Sequence, residues 1–249
     1  MRIFVAGGTG VIGRRLLPLL LADGHVVIGS TRTPEKAATL EALGVGPVVV
    51  DVFNAGALHN ALTHTRPEVV IHQLTDLPRV LNGPLDAATS ARNARLRIEG
   101  TANLIAAASA AGVQRFIAQS IAFIYATGPT PHLETDALVS GEGDAPGATT
   151  ARGIRALEQA TLSTPGIDGI VLRYGRLYGP GTWFDRPQGC GSLHVDAAAH
   201  AALLAVTRGG PGVYNISDDD GAVAIAKARA QLGFDPDFRR SARTTQRFA

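Results

Sequence analysis

The sequence predicts an α/β fold, a single parallel sheet with helices on both faces. Three observations carry this. Short, β-rich, nearly unbroken apolar runs alternate with helical stretches; the first run ends in a cluster of glycines; and 45% of the 249 residues are hydrophobic, enough for one large core. Strands buried on both faces read as continuous apolar runs, the mark of a parallel sheet. No linker of low complexity and no repeat beyond the β–α alternation divides the chain, so residues 1–249 are read as one domain.

The elements follow in order. The first strand is RIFVAG (2–7), with a helix over 11–22; HVVIGS (25–30) is followed by a helix over 34–43, and PVVVDV (47–52) by one over 55–63. EVVIHQ (68–73) precedes a long helix over 90–112, RFIAQS (115–120) precedes a helix over 151–162, and GIVLRY (169–174) ends the series. Thr149 and Thr150 stand where a cap for the 151–162 helix is expected. The segment 126–150 is rich in Gly, Pro and Thr. Loops of that length in compact domains are usually lids or binding loops.

The glycine cluster gives the first chemistry. In VAGGTGVIGRRLL, Gly8, Gly10 and Gly13 satisfy G-x-G-x-x-G, and Gly7, Gly10 and Gly13 satisfy G-x-x-G-x-x-G, with Val11 and Ile12 inside the turn. Between a strand and a helix, such glycines let the backbone approach a pyrophosphate at a helix N-terminus. The predicted fold is therefore a Rossmann-type doubly wound parallel sheet. Where an NAD site offers a carboxylate to the ribose, this chain has Ser30, Thr31 and Arg32. A guanidinium there suits a 2′-phosphate, so the expected cofactor is NADP(H), held by Thr31 and Arg32 with Ser30 or Lys36 assisting.

Charge and composition narrow the remaining classes. A net charge of +2 implies no nucleic-acid partner, and the arginines of the C-terminal tail, Arg239, Arg240, Arg243 and Arg247, read as a solvated or phosphate-facing run. Cys190 is the only cysteine, so no intrachain disulfide and no CxxC metal site is expected. The seven histidines are scattered, His72 reads as a core histidine, and no metal site is expected. Neither a signal peptide nor a membrane-spanning run is recognised, and the expected location is cytoplasmic.

With these residues in hand, the chain resembles the short-chain dehydrogenase/reductase superfamily, in the extended or atypical branch that holds NAD-dependent epimerases and dehydratases. Asp51 and Val52 are similar to the family's adenine-contacting pair, and His72-Gln73-Leu74-Thr75 to its fourth-strand cofactor segment. LRYGRLYGPG, with Tyr174, resembles the segment lining the nicotinamide pocket; LHVDAAAHAALL and GVYNIS match later landmarks. The resemblance implies cofactor contacts from Leu74, Thr75 and Tyr174, and a homodimer through the helices at 90–112 and 151–162. It also shows departures. The family's Tyr-x-x-x-Lys falls on Thr150 and Ile154, its fifth-strand Ser or Thr on Ile121 with Ser120 beside it, and a frequent Asn on Arg97. The substrate-binding segment shrinks to TWFDRPQGCGSL, leaving a reduced C-terminal substrate region, mainly 175–195 and 217–249.

Three readings follow for a small-molecule substrate. The first is an NADPH-dependent ketoreductase working without the Ser-Tyr-Lys set, with Ser120, Tyr174 and Arg97 as the candidate catalytic residues. Loss of general acid catalysis costs about 10²–10⁴-fold; a hydroxylated aromatic ketone stabilises its own alkoxide, as the resemblance to atypical ketoreductases of aromatic polyketides, the angucyclinone type among them, implies. Ile121, Phe123, Trp183 and Phe184 would wall such a pocket. The second is a non-catalytic NADP(H)-binding sensor, and the third an isomerase, dehydratase or cyclase.

Overall fold

The computed structural model describes residues 1–78, 80–81, 83–143 and 147–240. Its strands are β1 (Arg2–Ala6), β2 (Val26–Thr31), β3 (Gly46–Val49), β4 (Val69–His72), β5 (Arg115–Ile121), β6 (Asp168–Tyr174), β7 (Arg176–Tyr178), β8 (Ser192–His194) and β9 (Gly212–Ile216). The helices are α1 (Gly13–Ala22), α2 (Pro34–Ala42), α3 (Ala55–Thr65), α4 (Ala87–Arg95), α5 (Thr101–Ala110), α6 (Ala148–Ser163), α7 (Val195–Thr207) and α8 (Ala226–Leu232). Seven strands form one parallel sheet in the order β3-β2-β1-β4-β5-β6-β9, the doubly wound arrangement the sequence predicts. Strands β7 and β8 form a separate parallel pair inside the reduced substrate region.

The alternation of side chains along each strand divides the core in two. Ile3 and Val5 of β1 join Leu16, Leu17 and Leu20 of α1 and the alanines of α7 on one face; Phe4 and Ala6 join Leu58 and Leu62 of α3 and Leu104 of α5 on the other. Local signals set the helix starts. Asn54 caps α3 by accepting from Ala57 N at 3.0 Å, and Asp86 caps α4 by accepting from Thr89 N at 2.6 Å.

The structure corrects two expectations. The helix over 90–112 is α4 and α5, joined by a π-turn at Leu96–Gly100. Helix α6 starts three residues early, after Gly147 at φ +86°, so Thr149 and Thr150 lie inside its first turn and do not cap it. The segment 126–143 is fastened along its length. Tyr125 bridges to Leu138 and His132 to Val223, Glu134 Oε1 accepts from Asn215 N, and Arg155 donates to the carbonyls of Leu138 and Val139.

Candidate functional site

All seven strands of the main sheet point one way, so the ends of β1, β2, β3 and β4 share one edge, the place where doubly wound sheets bind ligands. The glycine turn is built by close approach. Gly7 stands at φ +92°, and a Cβ there would lie 2.7 Å from the carbonyl oxygen of Gln73; one on Gly13 would lie 2.4 Å from that of Gly7. Gly10 N donates to Gly7 O at 3.0 Å, and Gly10 itself is exposed, with Val11 half-buried and Ile12 buried beneath it. This leaves bare backbone at the mouth of α1, which fits a pyrophosphate.

The other expected cofactor residues lie along the same edge. Thr31 is buried and its Oγ1 accepts from Thr33 N at 3.4 Å, while Arg32 beside it is exposed and has no ion pair among the described residues. Asp51 is exposed and accepts from Phe53 N; Val52 is buried against Gly100, where a Cβ would come within 3.1 Å of it. Leu74 and Thr75 are half-buried after β4. The next residue is tied down by the bond from Asp76 N to Asn93 Oδ1 at 3.0 Å.

His72 is the satisfied core histidine that the sequence suggests. Its Nδ1 accepts from Leu74 N at 3.2 Å, so Nε2 carries the proton and donates to Thr101 Oγ1 at 2.9 Å. Burial first, then the Arg97 charge, lower its pKa to about 4 and keep it neutral.

Gln73 carries a signal that sequence reasoning missed. Its Nε2 donates to the Tyr174 hydroxyl at 3.3 Å, yet its Oε1 is buried without a partner among the described residues, while its backbone carbonyl abuts Gly7 of the glycine turn. Buried polar groups are normally satisfied, so an orphan acceptor at this edge points to a donor from a bound molecule. The orphan and the glycine cradle together fit a dinucleotide.

The three candidate catalytic residues fare differently. Ser120 is fully buried and donates at 2.6 Å to Glu158 Oε1, and Glu158 is clasped by Arg173 through Nε at 2.9 Å and Nη2 at 2.7 Å. Its proton is engaged inside the core, because strand alternation turns Ser120 toward α6. Tyr174 is buried; burial pushes its phenol well above the usual range, so it stays protonated. Arg97 lies in the π-turn, 5% exposed, with no hydrogen bond or ion pair among the described residues. Glu99, two residues on, is held instead by Arg95 at 2.7 and 3.1 Å.

The remaining positions show what replaces the usual acid. Thr150 is half-buried, while Ile154 is fully buried in a cluster with Ile121, Ile124 and Ala151. Ile121 is therefore core rather than a pocket wall. Phe123 is 45% exposed under the Arg176 guanidinium, 4.7 Å from its ring centre, and Trp183 Nε1 donates to Pro78 O at 3.0 Å. That last bond joins the loop after β7 to the loop after β4. Arg15 ties the same region to α1, donating to Asp196 Oδ1 at 3.0 Å and Pro180 O at 3.1 Å. Sequence reading gave no hint of either link, because each joins segments more than a hundred residues apart.

Residues 3–192 match the NAD dependent epimerase/dehydratase family. The chain belongs to this family. Among its relatives is a 3-diazoavenalumate denitrifying reductase from a Streptomyces species, 41% identical over 244 residues, which cover 90% of this chain and 78% of the relative. A ketoreductase from Stigmatella aurantiaca, acting on a 4-hydroxy-2-methyl-3-oxo-4-farnesyl-dihydroquinoline-1-oxide, is 33% identical over 138 residues, 55% of this chain and 38% of that protein. In fold, the chain is similar to a UDP-glucose 4-epimerase of Thermotoga maritima, with a TM-score of 0.78 at 20% identity over 96% of this chain and 94% of the other. This member of the epimerase/dehydratase family has no helix, among the described residues, long and apolar enough to cross a membrane. Nor do the described residues hold three metal-capable side chains in one group.

Proposed function

We propose that the chain is an NADPH-dependent reductase whose substrate takes up hydride without needing a proton from the protein. The observation that carries this reading is the acid-free start of α6, where Thr150 and buried Ile154 stand at the Tyr and Lys positions. The substrate class we favour is an aromatic diazo compound bearing a ring oxygen, in line with the 41%-identical denitrifying reductase. NADPH, when bound, supplies the hydride: a C–H bond forms, the C–N bond breaks, dinitrogen leaves, and NADP⁺ and a phenolate remain. No proton enters this balance, whereas hydride addition to an ordinary ketone yields an alkoxide that needs one.

The chain's own residues bind and orient. The glycine turn holds the pyrophosphate, Arg32 the 2′-phosphate, and Gln73 offers its unpaired Oε1 to the cofactor. The Trp183–Pro78 bond ties the loop after β7 to the loop after β4. A second reading, reduction of a hydroxylated aromatic ketone, draws on the Stigmatella relative and needs the substrate's own hydroxyl as the proton source.

Purified protein is incubated with deuterium-labelled NADPH and an ortho-hydroxy arenediazonium salt or a hydroxylated aromatic ketone. Cofactor oxidation, dinitrogen release and product mass are followed together. Dinitrogen with deuterium on the ring carbon is the expected result. Turnover of the ketone alone establishes the second reading. Cofactor bound but never consumed overturns both and leaves a sensor, or an isomerase if a mass-neutral product forms.

A further inference from the structure

We infer that Arg97 is the receptor for the anionic ring oxygen of the substrate, the phenolate that hydride delivery leaves behind. The inference rests on the reading of this edge as a hydride-transfer site for an oxygenated aromatic, and it assigns to that site a group the family pattern does not supply.

Arg97 is a cation with no counter-charge among the described residues. Arg97 is 5% exposed, and burial alone brings its guanidinium down to about 10, so it is charged at neutral pH. A buried charge is tolerated when something offsets it, and among the described residues nothing does. Glu99, two residues on, is held by Arg95 through both carboxylate oxygens. His72, the titratable neighbour, is neutral and has both ring nitrogens engaged, one by Leu74 N and one with Thr101. Among the described residues no acceptor takes a bond from its N–H donors, which leaves the guanidinium available to an anion.

Its place in the fold agrees. The π-turn at Leu96–Gly100 interrupts the helix between α4 and α5, and such interruptions recur at functional sites. One turn before it, α4 meets α6 at backbone distance: a Cβ on Gly153 would lie 3.0 Å from Ala94 Cα. Gly153 stands between Thr150 and Ile154, the positions that lack the acid and its ammonium partner. The π-turn that carries Arg97 itself packs against α6.

The chemistry is complementary. When hydride reaches a quinoid diazo ring, the two electrons end on the ring oxygen. A guanidinium stabilises that oxygen by charge and hydrogen bonding without giving up a proton, the work of an oxyanion hole. A site so equipped has no use for a tyrosine.

The test uses 4-nitrophenol, whose neutral and anionic forms differ in colour, titrated into the NADP⁺-loaded protein at the pH where the free probe is half ionised. The expected result is binding as the phenolate. Arg97→Met should weaken it about ten- to a hundredfold, the worth of a hydrogen bond to a charged group, and abolish the spectral shift; Arg97→Lys should restore part of both. NADP⁺ affinity should change less than about twofold, and the melting temperature should hold or rise, because a buried unpaired charge has been removed. If Arg97→Met fails to fold, Arg97→Gln serves in its place. Unchanged phenolate binding in the neutral variants, or a loss of NADP⁺ binding to match, overturns the assignment. Because the probe is not a substrate, absence of diazo reduction beside intact phenolate binding would remove the proposed reaction and leave the receptor standing.

Discussion

At the scale of single residues, Arg32 is an exposed cation at the end of β2 with no ion pair among the described residues, and it follows two buried side chains that present no carboxylate. Arg32→Ala should raise the KM for NADPH by about ten- to a hundredfold, the worth of charge-assisted hydrogen bonds, and that for NADH by no more than about threefold. Equal losses in steady-state kinetics with the two cofactors would remove the 2′-phosphate assignment. His72 makes a different test. Its pKa is about 4 in the fold against 6.5 for the free side chain, so below pH 6.5 the unfolded chain takes up a proton that the folded chain refuses. The contribution is complete above pH 6.5 and is lost as pH falls toward 4, amounting to about 3 kcal/mol in all. Urea unfolding of wild type and His72→Gln should show the wild type losing stability more steeply across that window.

At the scale of elements, the Ser120–Glu158–Arg173 cluster ties β5, α6 and β6 together beneath the site. It continues through Arg173 Nη1 to the Tyr125 hydroxyl at 2.8 Å, and from Tyr125 to Asn215 Oδ1 at 2.6 Å on β9. Glu158→Met leaves a buried guanidinium uncompensated and should cost about 3–5 kcal/mol in denaturant unfolding; adding Arg173→Met should recover much of that loss. Ser120→Ala removes one hydrogen bond and should cost about 1 kcal/mol while leaving the rate of hydride transfer within about twofold. A large rate loss with intact stability would return Ser120 to the catalytic list. The same elements show why the sequence was only partly legible. The first six strands are apolar runs with local turn signals, and the glycine motif is a demand of local backbone geometry, so both can be read from neighbours in the chain. Helix α7 is so rich in alanine that it shows no periodicity, β7 and β8 are three residues each, and the π-turn leaves no local mark. The engagement of Ser120, the orphan oxygen of Gln73 and the isolation of Arg97 come from contacts between distant segments, which no pattern along the chain encodes.

At the scale of the whole molecule, the fold keeps a glycine cradle at the sheet edge and fills the family's lysine position with core. Ile154 is fully buried among Ile121, Ile124 and Ala151, so the lysine position has become part of a hydrophobic cluster. Two outcomes are expected. First, if hydride transfer needs no proton, the reaction should show a primary isotope effect with deuterium-labelled NADPH and a solvent isotope effect near unity. A large solvent effect on the same step would reveal a donor on the protein. Second, Thr150→Tyr with Ile154→Lys should not recreate a ketoreductase. The lysine would be desolvated with no carboxylate in that cluster, which either costs several kcal/mol or drives its pKa down until it is neutral. Denaturant unfolding with saturating NADP⁺ should therefore show a marked loss of stability, and reduction of simple ketones should stay at the wild-type level. If instead the double variant folds normally and reduces simple ketones faster, then α6 presents these two positions to the substrate as in enzymes with the Tyr–Lys pair. The acid-free site would then be a two-residue loss, and the buried isoleucine cluster would not be what commits this molecule to substrates that carry away their own charge.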